Sequence, residues 1–286
     1  MKADYTAHLR VRSYECDSLG HVNNSIYLQY LQQITHEAQG QSPNPKGFWD
    51  VRALSIEYLA PAVDRDELEV ETWVVERHAM GIARGYRIKR VSDSAPVVAA
   101  RLDWVFRDPG GAALPVPEVG SPEGNLPSPL KPFFPPGDNS STAFRWRHRV
   151  RRYELDASNR VAPAVYLNWL EEATYDYSAR IGWDIDRMRQ ENFIVLQYRR
   201  DTQFFAPAKY ADELEMVSRL IEVRRVRGTW VHELYRKPSN ELVVRDYSTG
   251  AFLDWQGKLR PPPAEMIDAL TKGKLTSKGG ELRKNE

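Results

Sequence analysis

The sequence has a single cysteine, almost no net charge and no long apolar run, and each of these absences removes a class of protein. Cys16 has no second cysteine with which to form a disulfide, which fits a reducing compartment. Forty basic and 39 acidic side chains give a formal net charge of +1, so no overall field attracts nucleic acid or an anionic membrane. No segment approaches the roughly 18 apolar residues of a membrane span, and the first residues lack an apolar signal core. We therefore expect a cytoplasmic protein that binds no nucleic acid and has no membrane span.

Sequence motifs that are typical of metal-binding and nucleotide-binding sites are also missing. The six histidines are scattered and show no ligand spacing with the cysteine. No glycine-rich loop that could hold a phosphate is present, so nucleotide hydrolysis is not indicated. We expect a protein that uses no metal and no other cofactor.

The chain contains enough apolar residues for two cores, and it contains an internal repeat. Its 286 residues are 42% hydrophobic and 11% aromatic, which suits two domains of ordinary size. Residues 60–62 (Ala-Pro-Ala) and 66–69 (Asp-Glu-Leu-Glu) recur 146 positions later as residues 206–208 and 212–215. Eight earlier residues recur 139 positions later: Tyr14, Glu15, Asp17, Val22, Tyr27, Leu28, Leu31 and Thr35 match Tyr153, Glu154, Asp156, Val161, Tyr166, Leu167, Leu170 and Thr174. The second copy therefore has about seven extra residues between its helix and its next strand.

Each copy predicts one strand, one long helix and then about four strands. Apolar residues recur at spacings of three and four after each polar turn, which predicts a helix, and at a spacing of two further on, which predicts strands. The strand-like segments are residues 8–14, 53–59, 68–74, 82–91 and 97–107 in the first copy and residues 145–153, 192–204, 229–236 and 242–255 in the second. Strands joined by short loops pair antiparallel, so the sequence predicts an α+β fold.

The same features predict four segments along the chain. We expect a first domain at residues 1–108, a linker at 109–144, a second domain at 145–263 and a polar C-terminal tail at 264–286. The linker contains nine of the 19 prolines, which excludes a helix or strand interior. The tail is rich in lysine and glycine, which favours a solvated segment.

The polar turn before the first helix contains groups suited to chemistry on a carbonyl. Asp17 is followed by His21, Asn23 and Asn24 just before the helix begins. A carboxylate there can act as a nucleophile or as a general base, and free N–H groups of the helix near Asn24 and Ser25 can stabilise an oxyanion. The alternative is an Asx turn at Asp17 and helix capping by the asparagines. At least one of the two asparagines is expected to be structural.

These residues resemble the signature of the hotdog-fold thioesterases, in the branch that resembles 4-hydroxybenzoyl-CoA thioesterase. The resemblance is carried by Tyr14, Asp17, His21, Val22, Asn23, Asn24, Tyr27, Leu28 and Leu31 and, as support, by residues 58–68. It implies a tandem double hotdog, in which each unit is a curved antiparallel sheet wrapped around one long helix. Such units pair, so the chain is expected to form an intramolecular pseudo-dimer, with further homodimerisation left open.

The resemblance also implies an activity, which is hydrolysis of an acyl-CoA or acyl-carrier-protein thioester. The implied site is centred on Asp17 at the interface of the two units, with His21, Asn23 and Asn24 as further catalytic residues. The chain is similar as well to the double-hotdog acyl-acyl carrier protein thioesterases. It departs from their catalytic pattern because Leu19 stands where they have an asparagine and Pro61 about where they have a glutamate. An Asp-centred mechanism is therefore favoured.

The second copy keeps Asp156 but has lost the histidine and both asparagines, because residues 159–163 read Asn-Arg-Val-Ala-Pro. We therefore expect one working site and a degenerate one at Asp156, with the acyl chain between the two helices. Arg160 is a candidate for a CoA or carrier phosphate, with a surface salt bridge as the alternative. Glu171 and Glu172 are candidates to complete the site from the second unit. The expected substrate-binding residues are Ser25, Tyr27, Arg160, Trp169 and Glu172. The competing hypothesis is a non-catalytic acyl-thioester-binding or scaffold module.

Overall fold

Ten strands form one antiparallel sheet, and two long helices pack against one of its faces. The computed structural model describes residues 3–39, 47–117, 126–134 and 143–272. The strands are β1 (Tyr5–Arg10), β2 (Phe48–Tyr58), β3 (Glu67–His78), β4 (Gly81–Arg90), β5 (Pro96–Arg107), β6 (Phe144–Arg149), β7 (Ile194–Phe204), β8 (Glu213–Arg224), β9 (Arg227–Lys237) and β10 (Glu241–Leu253). The helices are α1 (Asn24–Gln39), α2 (Pro163–Arg180), α3 (Ile185–Gln190) and α4 (Ala264–Lys272). Among the described residues, no helix is long and apolar enough to cross a membrane.

The order of the strands shows that the sheet is built from two equivalent halves. The order is β1-β3-β4-β5-β2-β7-β10-β9-β8-β6, so the second half repeats the first in reverse. The halves join where β2 pairs antiparallel with β7, and Ser55 lies opposite Asp201. These two residues are 146 positions apart, which is the spacing of the sequence repeat. The predicted α+β double hotdog is confirmed, and equivalent residues of the two units can be identified from the pairing.

The long helices begin and pack as their sequence pattern predicts. Leu28, Leu31 and Ile34 of α1 are fully buried because a spacing of three and four places them on one face. A short 3₁₀ turn precedes each helix, at Ser13–Glu15 and Arg152–Glu154. Each turn ends in a buried glutamate that accepts a hydrogen bond from the helix that follows, which fixes the angle between turn and helix.

Part of the proline-rich linker crosses the face of the sheet opposite the helices. The backbone N–H of Phe133 donates to Asp201 Oδ1 at 3.0 Å, and Arg199 donates to the carbonyl of Lys131 at 2.6 Å. Asp201 points to this face because its neighbours in β7 point to the other. Residues 118–125 and 135–142 of the linker lie outside the described part of the chain.

Two helices, α3 and α4, were not predicted from the sequence. Helix α3 occupies the stretch that the second copy has in excess of the first. Helix α4 shows that the prediction of a polar tail from residue 264 is wrong for residues 264–272. Its Met266 and Leu270 are 3% and 6% exposed, and Tyr177 of α2 donates a hydrogen bond to the Leu270 carbonyl at 3.3 Å. Residues 273–286 of the predicted tail lie outside the described residues.

Candidate functional site

A cavity of about 440 Å³ runs from the polar turn of the first unit into the interior of the second. One end is formed by Asp17, Leu19, His21 and Asn24, and the far end includes Met266 and Leu270 of α4. Between these ends the walls come from α2, β7 and β10. The volume lies in the range of roughly 300–1,000 Å³ that is typical of small-molecule sites.

The turn that contains Asp17 is held by its own hydrogen bonds. The Asp17 N–H donates to the His21 carbonyl at 2.8 Å, and the Gly20 N–H donates to the Asp17 carbonyl at 3.0 Å. Gly20 has a φ of +80°, a conformation that glycine adopts without strain. Asp17 Oδ1 accepts from the Leu19 N–H at 2.8 Å, while no hydrogen bond from the described residues reaches Oδ2. The carboxylate therefore forms an Asx turn and still lines the cavity.

The two asparagines before α1 have different environments. Asn23 is the helix cap, because its Oδ1 accepts from the N–H and the hydroxyl of Ser25 at 2.9 and 2.7 Å. Ser25 is buried in this cap, and neither residue lines the cavity. Asn24 does line it, and no acceptor among the described residues takes the Asn24 backbone N–H. That free N–H at the start of α1 can stabilise negative charge.

Tyr27 lies in the wall of the cavity beside Tyr58. Their ring centroids are 5.8 Å apart, and the Tyr58 hydroxyl donates to the carbonyl of Asn24 at 3.3 Å. Burial raises the pKa of both phenols, so both remain neutral near pH 7. Tyr27 thus lines the cavity, and its role in substrate binding stays a prediction.

The second unit adds its own carboxyl group to the site through α2. Glu171 lines the cavity, together with residues three, four and seven positions later, Thr174, Tyr175 and Ser178. Burial raises the pKa of the Glu171 carboxyl; the positive charge of Arg200 opposes this shift, and the negative charge of Asp17 adds to it. Burial also raises the pKa of Tyr175 to about 12, with contributions from Glu171 and Asp17. Carboxyl groups of both units therefore share one end of the cavity.

Besides Ser25, three of the predicted binding residues lie outside this cavity: Glu172, Trp169 and Arg160. Glu172 is exposed, because a helix that directs Glu171 inward directs the next residue about 100° away. Trp169 is buried, and its indole N–H donates to Glu154 at 3.0 Å. Tyr30 of α1 holds Glu15 in the same way, at 2.7 Å. Trp169 is thus an anchor of the 3₁₀ turn rather than part of the cavity wall.

Arg160 lies at the second turn, on the other side of the molecule's approximate twofold axis. Its guanidinium is 4.3 Å from the centre of the Phe48 ring and 3.8 Å from Asp50 Oδ2. Asp156 forms the same Asx turn as Asp17, since its Oδ1 accepts from the Ser158 N–H at 2.8 Å. The cleft beside Asp156 and Arg160 has a volume of only about 50 Å³. The second turn therefore keeps its shape without a usable cavity.

The interiors of the two units differ at equivalent strand positions, and the sequence analysis missed this difference. Trp104 of β5 packs against α1, with its ring centroid 6.0 Å from that of His36, and its indole N–H donates to the Tyr86 hydroxyl at 3.0 Å. Trp104 pairs with Val51, and its equivalent Gly250 pairs with Gln197, 146 positions further on. Extending the repeat comparison to these strands would have shown a tryptophan replaced by a glycine.

No metal centre is apparent in the described part of the chain, where no group of three histidine, cysteine, aspartate or glutamate side chains could hold an ion. The chemistry available is that of carboxyl, imidazole, amide and backbone N–H groups around an apolar cavity.

Comparison with known families agrees with this arrangement. Residues 19–104 match the thioesterase superfamily, and residues 150–270 match the thioesterase-like superfamily. The chain belongs to the hotdog-fold thioesterases. Both units of this thioesterase-family chain are thus recognised separately, and the first match begins two residues after Asp17.

Individual relatives of this thioesterase-family chain are distant. A chloroplastic acyl-acyl carrier protein thioesterase of Arabidopsis thaliana is 24% identical over 113 residues, which cover 40% of this chain and 58% of that protein. The chain thus spans little more than half the length of this curated relative. The structure of an acyl-ACP thioesterase from Bacteroides thetaiotaomicron is 15% identical, with a TM-score of 0.68 over 86% of this chain and 97% of that one. A 12:0-ACP thioesterase from Umbellularia californica is 12% identical, with a TM-score of 0.66 over 86% and 93%. At these identities the two structures show the double-hotdog fold alone.

Proposed function

We propose that the chain hydrolyses acyl thioesters at the end of the cavity that contains Asp17. The observation that carries this proposal is the position of the Asp17 carboxylate, whose Oδ2 accepts no hydrogen bond from the described residues, where the polar turn meets a 440 Å³ cavity with largely apolar walls. The acyl group enters the second unit, and the thiol part, CoA or carrier protein, stays outside. The site then forms at the interface of the two units, which act as an intramolecular pseudo-dimer.

Two chemical routes fit the position of Asp17. As a general base, Asp17 removes a proton from water while the water oxygen attacks the thioester carbon. As a nucleophile, its oxygen attacks the same carbon, thiolate leaves, and water then cleaves the acyl-aspartyl anhydride. In both routes the tetrahedral oxyanion accepts a hydrogen bond from the Asn24 backbone N–H, which costs no reorganisation because the helix fixes it. In a single turnover in ¹⁸O-labelled water, label in Asp17 identifies the nucleophilic route with attack of water on the aspartyl carbonyl of the anhydride, because the general-base route puts label only in the released acid.

Other residues of the site take supporting roles in this proposal. Burial favours the protonated form of Glu171, so this carboxyl can donate a proton to the departing sulfur. His21 and the Asn24 amide line the same end of the cavity and orient the carbonyl or the water. Asn23 and Ser25 act indirectly, because they cap the helix that presents Asn24. Arg160 is left out of the proposed site, since it packs on Phe48 near the second turn.

The experiment is release of free thiol from a panel of thioesters that runs from short to long and aromatic acyl groups. We expect turnover of at least one acyl-CoA or acyl-carrier-protein substrate by the purified chain. Absence of thiol release across the whole panel would contradict the proposal.

Binding of acyl thioesters without turnover is the second candidate function. It is favoured by the Asx turn, because the carboxylates of Asp17 and of its equivalent Asp156 both have a structural role there. Measured acyl-thioester binding with no thiol release would select this function over hydrolysis.

A further inference from the structure

The interior of the second unit contains buried polar side chains that the first unit replaces with apolar ones. Arg200 of β7 and Ser248 of β10 are cross-strand partners, as are Thr202 and Asp246. The equivalent pairs in the first unit are Leu54 with Leu102 and Ile56 with Ala100. All eight side chains are at most 8% exposed. The hotdog unit can therefore be built at these positions without any polar group.

This polar cluster is incompletely satisfied. Arg200 is 2% exposed and donates through Nη1 to the Leu167 carbonyl at 3.3 Å, but its Nε has no hydrogen-bond partner among the described residues. The Nε lies 3.4 Å from Asp246 Oδ1 as an ion pair without hydrogen-bond geometry. The buried amide nitrogen Nε2 of Gln197 also has no partner there. Buried polar groups without partners are costly, so a cluster of this kind, absent from the first unit, indicates a role beyond building the fold.

Arg200, Gln197 and Ser248 all line the cavity. The Ser248 hydroxyl lies 3.2 Å from His232 Nε2. His232 Nδ1 lies in turn 2.8 Å from the hydroxyl of Ser218. Burial lowers the pKa of His232 to about 3, so the ring is neutral and its unprotonated nitrogen can accept a hydrogen bond from the Ser248 hydroxyl. The Ser248 oxygen is then free to accept a hydrogen bond from the cavity side.

The geometry points to a hydroxyl group on the acyl chain of the substrate, bound inside the cavity at Arg200, Gln197 and Ser248. The hydroxyl oxygen accepts a hydrogen bond from the Arg200 guanidinium, beside Gln197, and its O–H group donates to the Ser248 oxygen. A carboxylate fits less well, because Asp246 already balances the charge of Arg200 and a second buried anion would remain unpaired. This inference rests on the proposed function and defines its substrate class as hydroxyacyl thioesters.

The test compares acyl-CoA thioesters of one chain length that carry no substituent, one hydroxyl or one oxo group at successive carbons. We expect kcat/KM for one hydroxyacyl isomer to exceed that of the unsubstituted thioester by about 10- to 100-fold, which is the value of a hydrogen bond to a charged group. An equal or lower value for every hydroxyacyl isomer would overturn the inference. A preference for the oxo compounds over the hydroxyacyl isomers would overturn the assignment of a hydroxyl.

Variants that remove the polar groups identify the residues responsible, and two of the changes, Arg200→Leu and Asp246→Ala, copy the first unit. Ser248→Ala, and the double change Arg200→Leu with Asp246→Ala, should bring the ratio of the two kcat/KM values close to one. The double change is needed because removal of one member of a buried ion pair leaves the other uncompensated. Thr249→Val is the matched control: it removes a buried hydroxyl at the next position, outside the cavity lining, and should keep the ratio. An unchanged ratio in Ser248→Ala would overturn the role of Ser248, even if the double variant fails to fold.

Failure of the proposed function can be told apart from failure of this inference. If no thioester is hydrolysed, the proposed function fails. Calorimetry with free hydroxy fatty acids and unsubstituted fatty acids of equal length then decides the inference. Tighter binding of a hydroxy acid supports the polar subsite, and equal affinities overturn it.

Discussion

The two units have the same strands, helix and Asx turn, yet they differ in where space and polar groups remain. In the first unit Trp104 and Tyr86 fill the interior beneath α1, and the turn keeps His21 and Asn24. In the second unit, Gly250 occupies the position equivalent to Trp104, and the interior contains a cavity of about 440 Å³. The second turn keeps only the aspartate, Asp156, and the cleft beside it has a volume of about 50 Å³. The comparison teaches that the two units divide the features of the proposed site: the first has the turn with Asp17, His21 and Asn24, and the second has the space of the cavity.

The strongest test of this comparison is the pair of equivalent aspartates, beginning with Asp17→Asn. We expect this change to lower kcat/KM for the best thioester by about 100- to 10,000-fold, the usual contribution of a positioned proton-transfer group. The amide keeps the Asx-turn acceptor, so thermal unfolding should change little. Retained activity would show that the reactive group lies elsewhere.

The next largest effect is expected on the stability of the protein, at Asp246. The equivalent residue of the first unit is Ala100. Burial raises the pKa of Asp246 to about 6 from 3.8, with the charge of Arg200 opposing the shift. A carboxyl with a raised folded-state pKa contributes stability below its unfolded pKa and loses it as pH rises through the folded value. At about 1.4 kcal/mol per pKa unit, this loss is about 3 kcal/mol between pH 4 and pH 7.

Asp246→Asn removes this titration. Urea unfolding should therefore show that the free energy of unfolding of the variant, relative to that of the unmodified chain, rises by about 3 kcal/mol between pH 4 and pH 7. The same stability difference at both pH values would mean that Asp246 is not destabilised by burial.

Filling the cavity should make the second unit resemble the first. A Cβ at Gly250 would lie 2.6 Å from Val195 Cγ1, so Gly250→Trp is best combined with Val195→Ala. We expect kcat/KM for long acyl thioesters to fall about 10- to 100-fold, equivalent to roughly 1–3 kcal/mol of overpacking, and short ones to be affected less. Val195→Ala alone is the matched control. An equal loss for short and long substrates would argue that the acyl chain lies outside this cavity.

The smallest effect is expected for Asp156→Asn, the counterpart of Asp17→Asn. The residue is exposed beside a cleft too small for an acyl group, so kcat/KM should stay within about twofold of the unmodified value. A large loss of activity here, with Asp17→Asn active, would move the working site to the second turn.

Much of the fold was predictable because local periodicity and the repeat record it directly. The spacing of three and four around Leu28 and Leu31 gave α1, and alternation gave nine of the ten strands to within a few residues. Strand β8 (Glu213–Arg224) was not among the predicted segments. Helix α4 was not predicted, because a short amphipathic segment after three prolines has a polar average composition when it is taken together with the lysine-rich residues that follow. Its burial depends on a cavity edge that only the tertiary structure creates.

The candidate site was predicted less completely, for reasons that are also physical. Asp17, His21 and Asn24 are close in sequence, so one turn brings them together. Glu171 reaches them across the two units, and choosing it over Glu172 requires the rotation of α2 about its axis. The absence of a tryptophan at Gly250 becomes meaningful only when the strand register identifies Trp104 as its equivalent.

Helix α4 has a consequence for how the cavity can open. It follows three prolines, ends the described chain and contacts α2 through the Leu270 carbonyl, while the other walls of the cavity belong to the ten-stranded sheet and to α2. Releasing a helix of nine residues breaks far fewer contacts than separating paired strands, so local opening costs less free energy at this wall than in the sheet. The far end of the cavity can therefore widen or shorten without strain on Asp17 and its turn. In the proposed function, the length of the acyl chain is then adjustable independently of the chemistry.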